Sequence, residues 1–160
     1  MGGKDKLEAA LDSLFGKDEY WHGNEPGHQI PFMYNYTSSP WKTQKEVRRI
    51  LSEEYSDGPG GLSGNDDAGQ MSAWYVFAAL GFYPVNPVSD EYAVCAPLFD
   101  ETVITLAGNK KLRIVTNKES EGSAYIVGMK WNGKPLATNF LLHSNIVKGG
   151  TWEIWLKDKP

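Results

Sequence analysis

With only one cysteine, Cys95, the chain can form neither an internal disulfide nor a cysteine-type zinc site. No apolar run approaches the ~20 residues of a membrane-spanning helix, and no signal-peptide pattern opens the chain. Positive charge is not in excess. Sixteen Lys and Arg stand against twenty Asp and Glu, a net charge of −4, and the signs are mixed along the sequence. The basic footprint of a nucleic-acid binder is therefore missing. There is no internal repeat and no low-complexity segment. At 160 residues the chain is long enough for one core and reads as a single domain, 1–160.

Chemistry concentrates in two segments. The first runs from Gly64 to Pro84, where Asp66 and Asp67 sit in a glycine-rich turn just before an apolar, aromatic stretch. The expected helix covers 68–80, with Asp67 as its N-cap and Gly81 just past its end. Free N–H groups and the helix dipole favour the ionised carboxylate there. An ionised carboxylate suits a general base, a metal ligand or an anchor for sugar hydroxyls. An Asp in that position is also commonly no more than a cap. The second segment, Tyr20 to Tyr36, mixes Trp21, His22, Asn24, Glu25, His28 and Tyr34 between the breakers Gly23, Pro26 and Pro31. Glu, Asn and His are seldom buried without partners. Flat rings beside carboxylates and amides match what a sugar presents, apolar C–H faces and hydroxyl edges. A packed core with Glu25 as a cap is the plainer alternative.

The rest of the pattern divides the chain in two. Residues 1–85 read as mainly helical with site loops. An amphipathic helix is expected at 4–15 and a short helix or turn at 28–36. Another helix is expected to start at the capping box Thr43-Gln44-Lys45-Glu46, with Val47, Ile50, Leu51 and Tyr55 inward. A flexible loop at 57–61 follows. Residues 86–160 read as mainly strands, at 92–96, 103–106, 112–115, 125–131, 140–142 and 152–156. Asn109-Lys110 marks a turn, and Asn132-Gly133 is a strong hairpin signal. Cys95 is expected to be buried in a strand. The fold class is α+β, with helices of the first half packed on an antiparallel sheet from the second, in two layers. Asn35-Tyr36-Thr37 matches a glycosylation sequon but falls in the candidate site segment.

Gly23-Asn24-Glu25-Pro26, Pro31-Phe32-Met33-Tyr34-Asn35-Tyr36, Pro40-Trp41-Lys42-Thr43-Gln44, and the run from Gly69 to Val76 followed by Leu80-Gly81-Phe82-Tyr83-Pro84 occur in this order. Together, from about Trp21 to Phe99, they resemble the C-terminal part of glycoside hydrolase family 92. These are calcium-dependent exo-α-mannosidases that invert the anomeric centre. The resemblance implies that the chain is a C-terminal fragment of a larger catalytic region, whose missing N-terminal portion is its natural partner. It implies a substrate, the terminal α-linked mannose of glycans, as in N-glycan degradation. It places the general base at Asp67, with Asp66 sharing the role or holding the water. Asn65 stands where related sequences carry a second acid, and the general acid lies outside this chain. Asn24 and Glu25 correspond to the calcium step, and His22 and His28 flank it as hydroxyl binders. Trp21, Tyr34 and Trp41 are candidate sugar platforms, while His143 has no assigned role. The parent is expected to be a secreted, periplasmic or cell-surface bacterial enzyme. A carbohydrate-binding module, or a structural domain bracing a helical barrel, is the alternative.

Overall fold

A computed structural model describes residues 2–160. Helices come first: α1 (Lys4–Gly16), two 3₁₀ segments (Glu25–Gly27 and Ile30–Tyr36), α2 (Trp41–Glu53) and α3 (Gln70–Leu80). Strands follow: β1 (Phe82–Tyr83), β2 (Glu91–Val94), β3 (Glu101–Thr105), β4 (Lys111–Lys118), β5 (Tyr125–Trp131), β6 (Lys134–Pro135), β7 (Phe140–Leu142) and β8 (Gly150–Lys157). A single helical turn, α4 (His143–Ile146), precedes β8. The α+β class and the division into a helical and a strand half are as the sequence suggests.

The sheet differs in detail from the single antiparallel layer expected. The strands form two sheets, one of three in the order β1-β2-β7 and one of five in the order β3-β4-β8-β5-β6. Within the larger sheet β4 and β8 are parallel. Parallel neighbours need a long crossover, and here it contains β5, β6, β7 and α4. Local turn signals report only hairpins, so this pairing left no mark in the sequence. The hairpin that was marked is present. β5 and β6 pair antiparallel, and Asn132 and Gly133 adopt the left-handed φ values of 49° and 77° that a tight hairpin turn requires.

Two apolar clusters form the core. Leu112, Ile114, Trp152, Ile154 and Leu156 alternate inward along β4 and β8 and meet Phe82, Val94 and Leu141. Phe32, Val47, Ile50, Trp74, Ala78, Tyr83 and Cys95 form the second cluster, directly beneath the candidate site segments. There Phe32 stacks on Tyr83 at 4.7 Å between ring centroids, and Tyr55 lies parallel to Trp74 at 5.9 Å. Cys95 lies just after β2, fully buried, with its thiol donating to the Ala78 carbonyl at 3.4 Å. Burial pushes that thiol well above its ordinary pKa, so it is inert. Asn35 is buried and donates to the Val94 carbonyl at 2.8 Å, so the sequon is closed in the folded chain.

Two helix starts shift from expectation. α2 begins at Trp41 after Pro40, and Thr43-Gln44-Lys45-Glu46 is not a capping box. Thr43 Oγ1 donates to the Pro31 carbonyl at 3.0 Å, and Gln44 Oε1 accepts the Ile126 N–H at 2.8 Å. Those side chains join α2 to the 3₁₀ segment and to β5. Glu46 pairs with Arg49 at 3.0 Å. α3 begins at Gln70, because Asp67, Ala68 and Gly69 all have left-handed φ (47°, 60° and 91°) and cannot extend a right-handed helix. Nor is α3 buried all round. Met71, Trp74, Ala78 and Ala79 face inward, whereas Val76 is 56% exposed. Gly81 ends α3 with φ 97°, as expected, and its N–H bonds the Phe77 carbonyl.

Candidate active site

The site is built where two glycine-containing segments touch backbone to backbone. A Cβ on Gly64 would lie 2.1 Å from the Gly23 carbonyl oxygen and 2.6 Å from its Cα. A Cβ on Gly23 would strike the Trp21 ring at 2.3 Å and the Ser63 carbonyl at 2.8 Å. Only hydrogen fits at this crossing. It draws the loop before α3 onto the turn after Trp21. Glu25 and Asp67, 42 positions apart in sequence (67 − 25), therefore meet on one exposed rim.

Glu25 opens the first 3₁₀ turn, where the Gly27 and His28 N–H groups bond the Asn24 and Glu25 carbonyls at 3.0 Å each. Its carboxyl group lies close enough to that of Asp67 for the two to interact. That contact, then partial desolvation, then the charges of Glu25 and Asp66, hold Asp67 above its ordinary pKa. No ion pair among the described residues involves either group. The two carboxyls thus form an exposed acidic pair.

Capping of α3 falls to Asp66 and not, as expected, to Asp67. Asp66 accepts the Ser72 N–H at 2.9 Å and the Ser72 hydroxyl at 3.0 Å, and its carbonyl accepts the Met71 N–H at 3.2 Å. The left-handed backbone at Asp67 turns the next carboxylate away from the helix and toward Glu25. Asp66→Ala should therefore cost about 1 kcal/mol, the usual loss for a cap, lowering Tm by roughly 2–4 °C in a chain of this size. A thermal melt identical to wild type would refute the capping assignment.

The predicted hydroxyl binders are not on this rim. His22 and His28 are both fully buried, stacked on each other at 4.6 Å. The ring nitrogens of His22 lie 2.8 Å from Tyr20 Oη and 2.7 Å from Tyr55 Oη. His28 Nε2 donates to the His22 carbonyl at 3.0 Å. Burial, with a smaller contribution from His28, pushes His22 down to about 3, and burial also lowers His28. Neither imidazole reaches solvent. Tyr34 and Trp41 lie elsewhere, lining a hollow with Asp12, Phe15, Lys42 and Glu46. Tyr34 donates to Asp12 at 3.0 Å, and Trp41 sets its ring edge-on to Tyr125 at 6.2 Å. Their apolar bodies are packing against α1 and β5, which a list of aromatic residues cannot distinguish from a sugar platform. Trp21 is different: it is 60% exposed and borders the same hollow as Glu19 and Asn24. His143 accepts or donates a bond to Tyr92 Oη at 3.0 Å, remote from the rim in the β2–β7 sheet region.

Sequence reasoning missed Tyr20, Tyr55, Gln70 and Trp74 as a group. Tyr55 was legible only as an inner-face residue following α2, and Gln70 only as part of the Gly69-Gln70 step. What organises them is contact between segments far apart in sequence.

Asn24, Glu25 and Asp67 offer hard oxygen donors of the type calcium prefers. They stand exposed, and among the described residues no salt bridge involves Glu25 or Asp67. Among the described residues no group of three or more His, Cys, Asp or Glu is placed to hold a metal ion. The donor set fits part of a calcium shell, with six to eight oxygens needed in all.

The site is thus an exposed pair of carboxyl groups on an α+β scaffold, with Trp21 exposed on the turn that carries Glu25. The sequence model of the glycosyl hydrolase family 92 catalytic domain matches residues 1–158, and the chain belongs to that family. It is similar to the family GH92 α-mannosidase BT3965 of Bacteroides thetaiotaomicron, with 36% identity and a TM-score of 0.93 over 99% of this chain and 22% of that one. It is similar also to the inverting mannosidase BT2199 of the same organism, with 32% identity and a TM-score of 0.91 over all of this chain and 25% of that one. A protein of Arthroderma benhamiae described as an uncharacterized secreted glycosidase is 31% identical over 98% of this chain and 20% of its own length. The chain thus spans about a fifth to a quarter of the length of these relatives.

Proposed function

We propose that this chain is the C-terminal part of an inverting α-mannosidase catalytic region and that Asp67 is its general base. The observation that carries the reading is the division of labour between neighbouring carboxylates. Asp66 caps α3, so Asp67 is free of structural duty and is turned onto the rim with Glu25.

In the proposed reaction Asp67 takes a proton from water as the water oxygen forms its bond to the anomeric carbon. The bond from that carbon to the leaving oxygen breaks on the opposite face. A general acid outside this chain protonates the leaving oxygen, across the roughly 6.5–9.5 Å that inverting enzymes keep between their two carboxyl groups. In the metal-free chain Glu25 raises the Asp67 pKa, and calcium held by Glu25 would offset that effect. Trp21 offers a flat face to the apolar side of a pyranose. Asn24 and Glu25 would hold calcium, with further ligands from the rest of the parent. When bound, the ion would supply Lewis-acid and templating chemistry at the sugar hydroxyls.

Terminal α-linked mannose of glycans is the substrate this reading assigns. Support comes from the mannosidase relatives, one of which has been solved with mannoimidazole bound. The secreted glycosidase relative supports a parent that acts outside the cytoplasm. Among the described residues no helix is long and apolar enough to cross a membrane. The 160-residue chain alone lacks the acid and part of the metal shell, so it should not turn over α-mannosides.

Glu25→Gln in the full-length enzyme tests the metal half of the proposal. The expected result is a calcium requirement raised by about tenfold or more, the usual scale for losing one ligand charge or its support. Most of kcat should return at saturating calcium on an aryl α-mannoside. Activity that is independent of calcium and of chelator, in wild type and variant alike, would contradict it.

A further inference from the structure

The hydrogen-bond directions around His22 and His28 can be assigned without seeing a proton. Tyr55 Oη has one hydrogen and donates it to the Met71 carbonyl at 3.1 Å. Tyr20 Oη also faces a carbonyl, that of Gly27, but at 3.4 Å; the shorter Met71 bond assigns the carbonyl-donor role to Tyr55, which then accepts at its 2.7 Å contact with His22 Nε2. His22 is then the Nε2–H tautomer, and its Nδ1 lone pair accepts the Tyr20 hydroxyl at 2.8 Å. His28 is fixed independently. Its Nε2 faces the His22 carbonyl, which can only accept, so Nε2 carries the proton and Nδ1 accepts from the Gln70 amide at 3.4 Å. The same Gln70 amide donates to Tyr83 Oη at 3.1 Å, and Trp74 Nε1–H donates to the His28 carbonyl at 2.9 Å. The Tyr20–His22 and His28–His22 bonds lie within the Tyr20–Tyr36 segment, and the other bonds of this buried set run between segments. His22 precedes the Asn24–Glu25 turn and His28 follows it, and both are tied to the end of α2 and the first turns of α3.

We propose that His22 and His28 are positioning residues, a stacked pair of neutral Nε2–H imidazoles that clamps the backbone on both sides of the Asn24–Glu25 turn against α3 and so holds Glu25 facing Asp67. This rests on the proposed assignment of Glu25 and Asp67. Satisfied buried networks specify one arrangement, because each lost bond strands a partner in a dry interior. Neither imidazole touches the sugar or the reacting water. Their effect reaches the site through the turn.

Long-range proton–nitrogen NMR on the 160-residue chain reads the tautomers. The expected spectrum shows His22 and His28 both as Nε2–H, with exposed His143 as an internal comparison. An Nδ1–H form at either buried histidine would overturn the assignment. Tyr55→Phe keeps the ring stacked on Trp74 and removes the one group that fixes His22. His22 should change to Nδ1–H, donating to Tyr20, whose hydroxyl is already 3.4 Å from the Gly27 carbonyl. Amide exchange at Gly27 and His28 should quicken at least tenfold while Ala78 within α3 stays unchanged. Unchanged exchange at the turn, or an equal rise throughout α3, would overturn the positioning role. In the full-length enzyme the same variant should raise the half-saturating calcium concentration about tenfold and leave kcat at saturation within about twofold. A wild-type enzyme with no calcium dependence would instead count against the metal assignment of Glu25, and the tautomer and exchange results would stand apart from it.

Discussion

Asp67→Asn in the full-length enzyme should lower kcat by about 10²–10⁴-fold, the scale of a lost general base, at every calcium concentration. The fold should survive. Asn tolerates left-handed backbone as well as Asp does, the φ of 47° is kept, and the cap of α3 belongs to Asp66. Stability should in fact rise slightly. The folded chain holds the Asp67 carboxyl above its ordinary pKa because Glu25 is against it. A raised acid binds its proton more tightly in the folded than in the unfolded state. Stability therefore falls as pH climbs from the ordinary Asp value through the raised one, and the whole penalty is present at neutral pH. Removing the charge should raise Tm slightly at neutral pH in calcium-free buffer, a gain that vanishes in acid. Lost turnover together with gained stability is the signature of a functional carboxylate. A capping residue would show neither.

Gly64→Ala should be the second large effect, although no chemistry resides at Gly64. Its Cβ would sit 2.1 Å from the Gly23 carbonyl oxygen, and both partners are backbone. Neither can rotate away, so the loop must lift from the turn. Overpacking of this kind costs about 1–3 kcal/mol, and a displacement near 1 Å at the reacting groups can cost about 10²-fold in rate. The expected result is a fall in kcat/KM of at least about 10²-fold with Tm lower by several degrees. Gly122→Ala is the matched control, since a Cβ there meets only the Ser120 hydroxyl at 3.8 Å. It should change neither quantity. Equal behaviour of the two variants would mean that the Gly23–Gly64 crossing does not hold the site together.

The sequence carried the local part of this architecture well. Helical spacing of Leu7, Leu11 and Leu14 placed α1, and Gly81 marked the end of α3. The strand runs at 112–115 and 152–156 fall within β4 and β8, and Asn132-Gly133 marked the β5–β6 hairpin. The parallel β4–β8 pair was illegible because its partners are joined by a crossover with no local signal. The structure separates the candidate residues into an exposed group and a buried one. Asp67 and Glu25 are brought together, and Trp21 is exposed in a hollow shared with Asn24. His22, His28, Tyr34 and Trp41 are placed in the interior or on another face. Burial is a property of the packed whole, so a buried, satisfied histidine and a ligand-binding one read alike in a string of residues. The identity of the cap was misplaced by one residue for a similar reason. Only the left-handed backbone at Asp67 decides which of two adjacent carboxylates faces the helix.

Chemical rescue tests the role of Asp67 most directly. In Asp67→Gly, glycine accepts the left-handed backbone and leaves a gap where the base stood. Azide needs no deprotonation, so it can attack the anomeric carbon without a base. With an aryl α-mannoside and the full-length enzyme, this account predicts that azide restores turnover to Asp67→Gly, gives the inverted β-mannosyl azide, and does not accelerate wild type. A variant that retains wild-type activity, or a folded but inactive one that azide does not revive, would contradict the assignment of Asp67 as the general base.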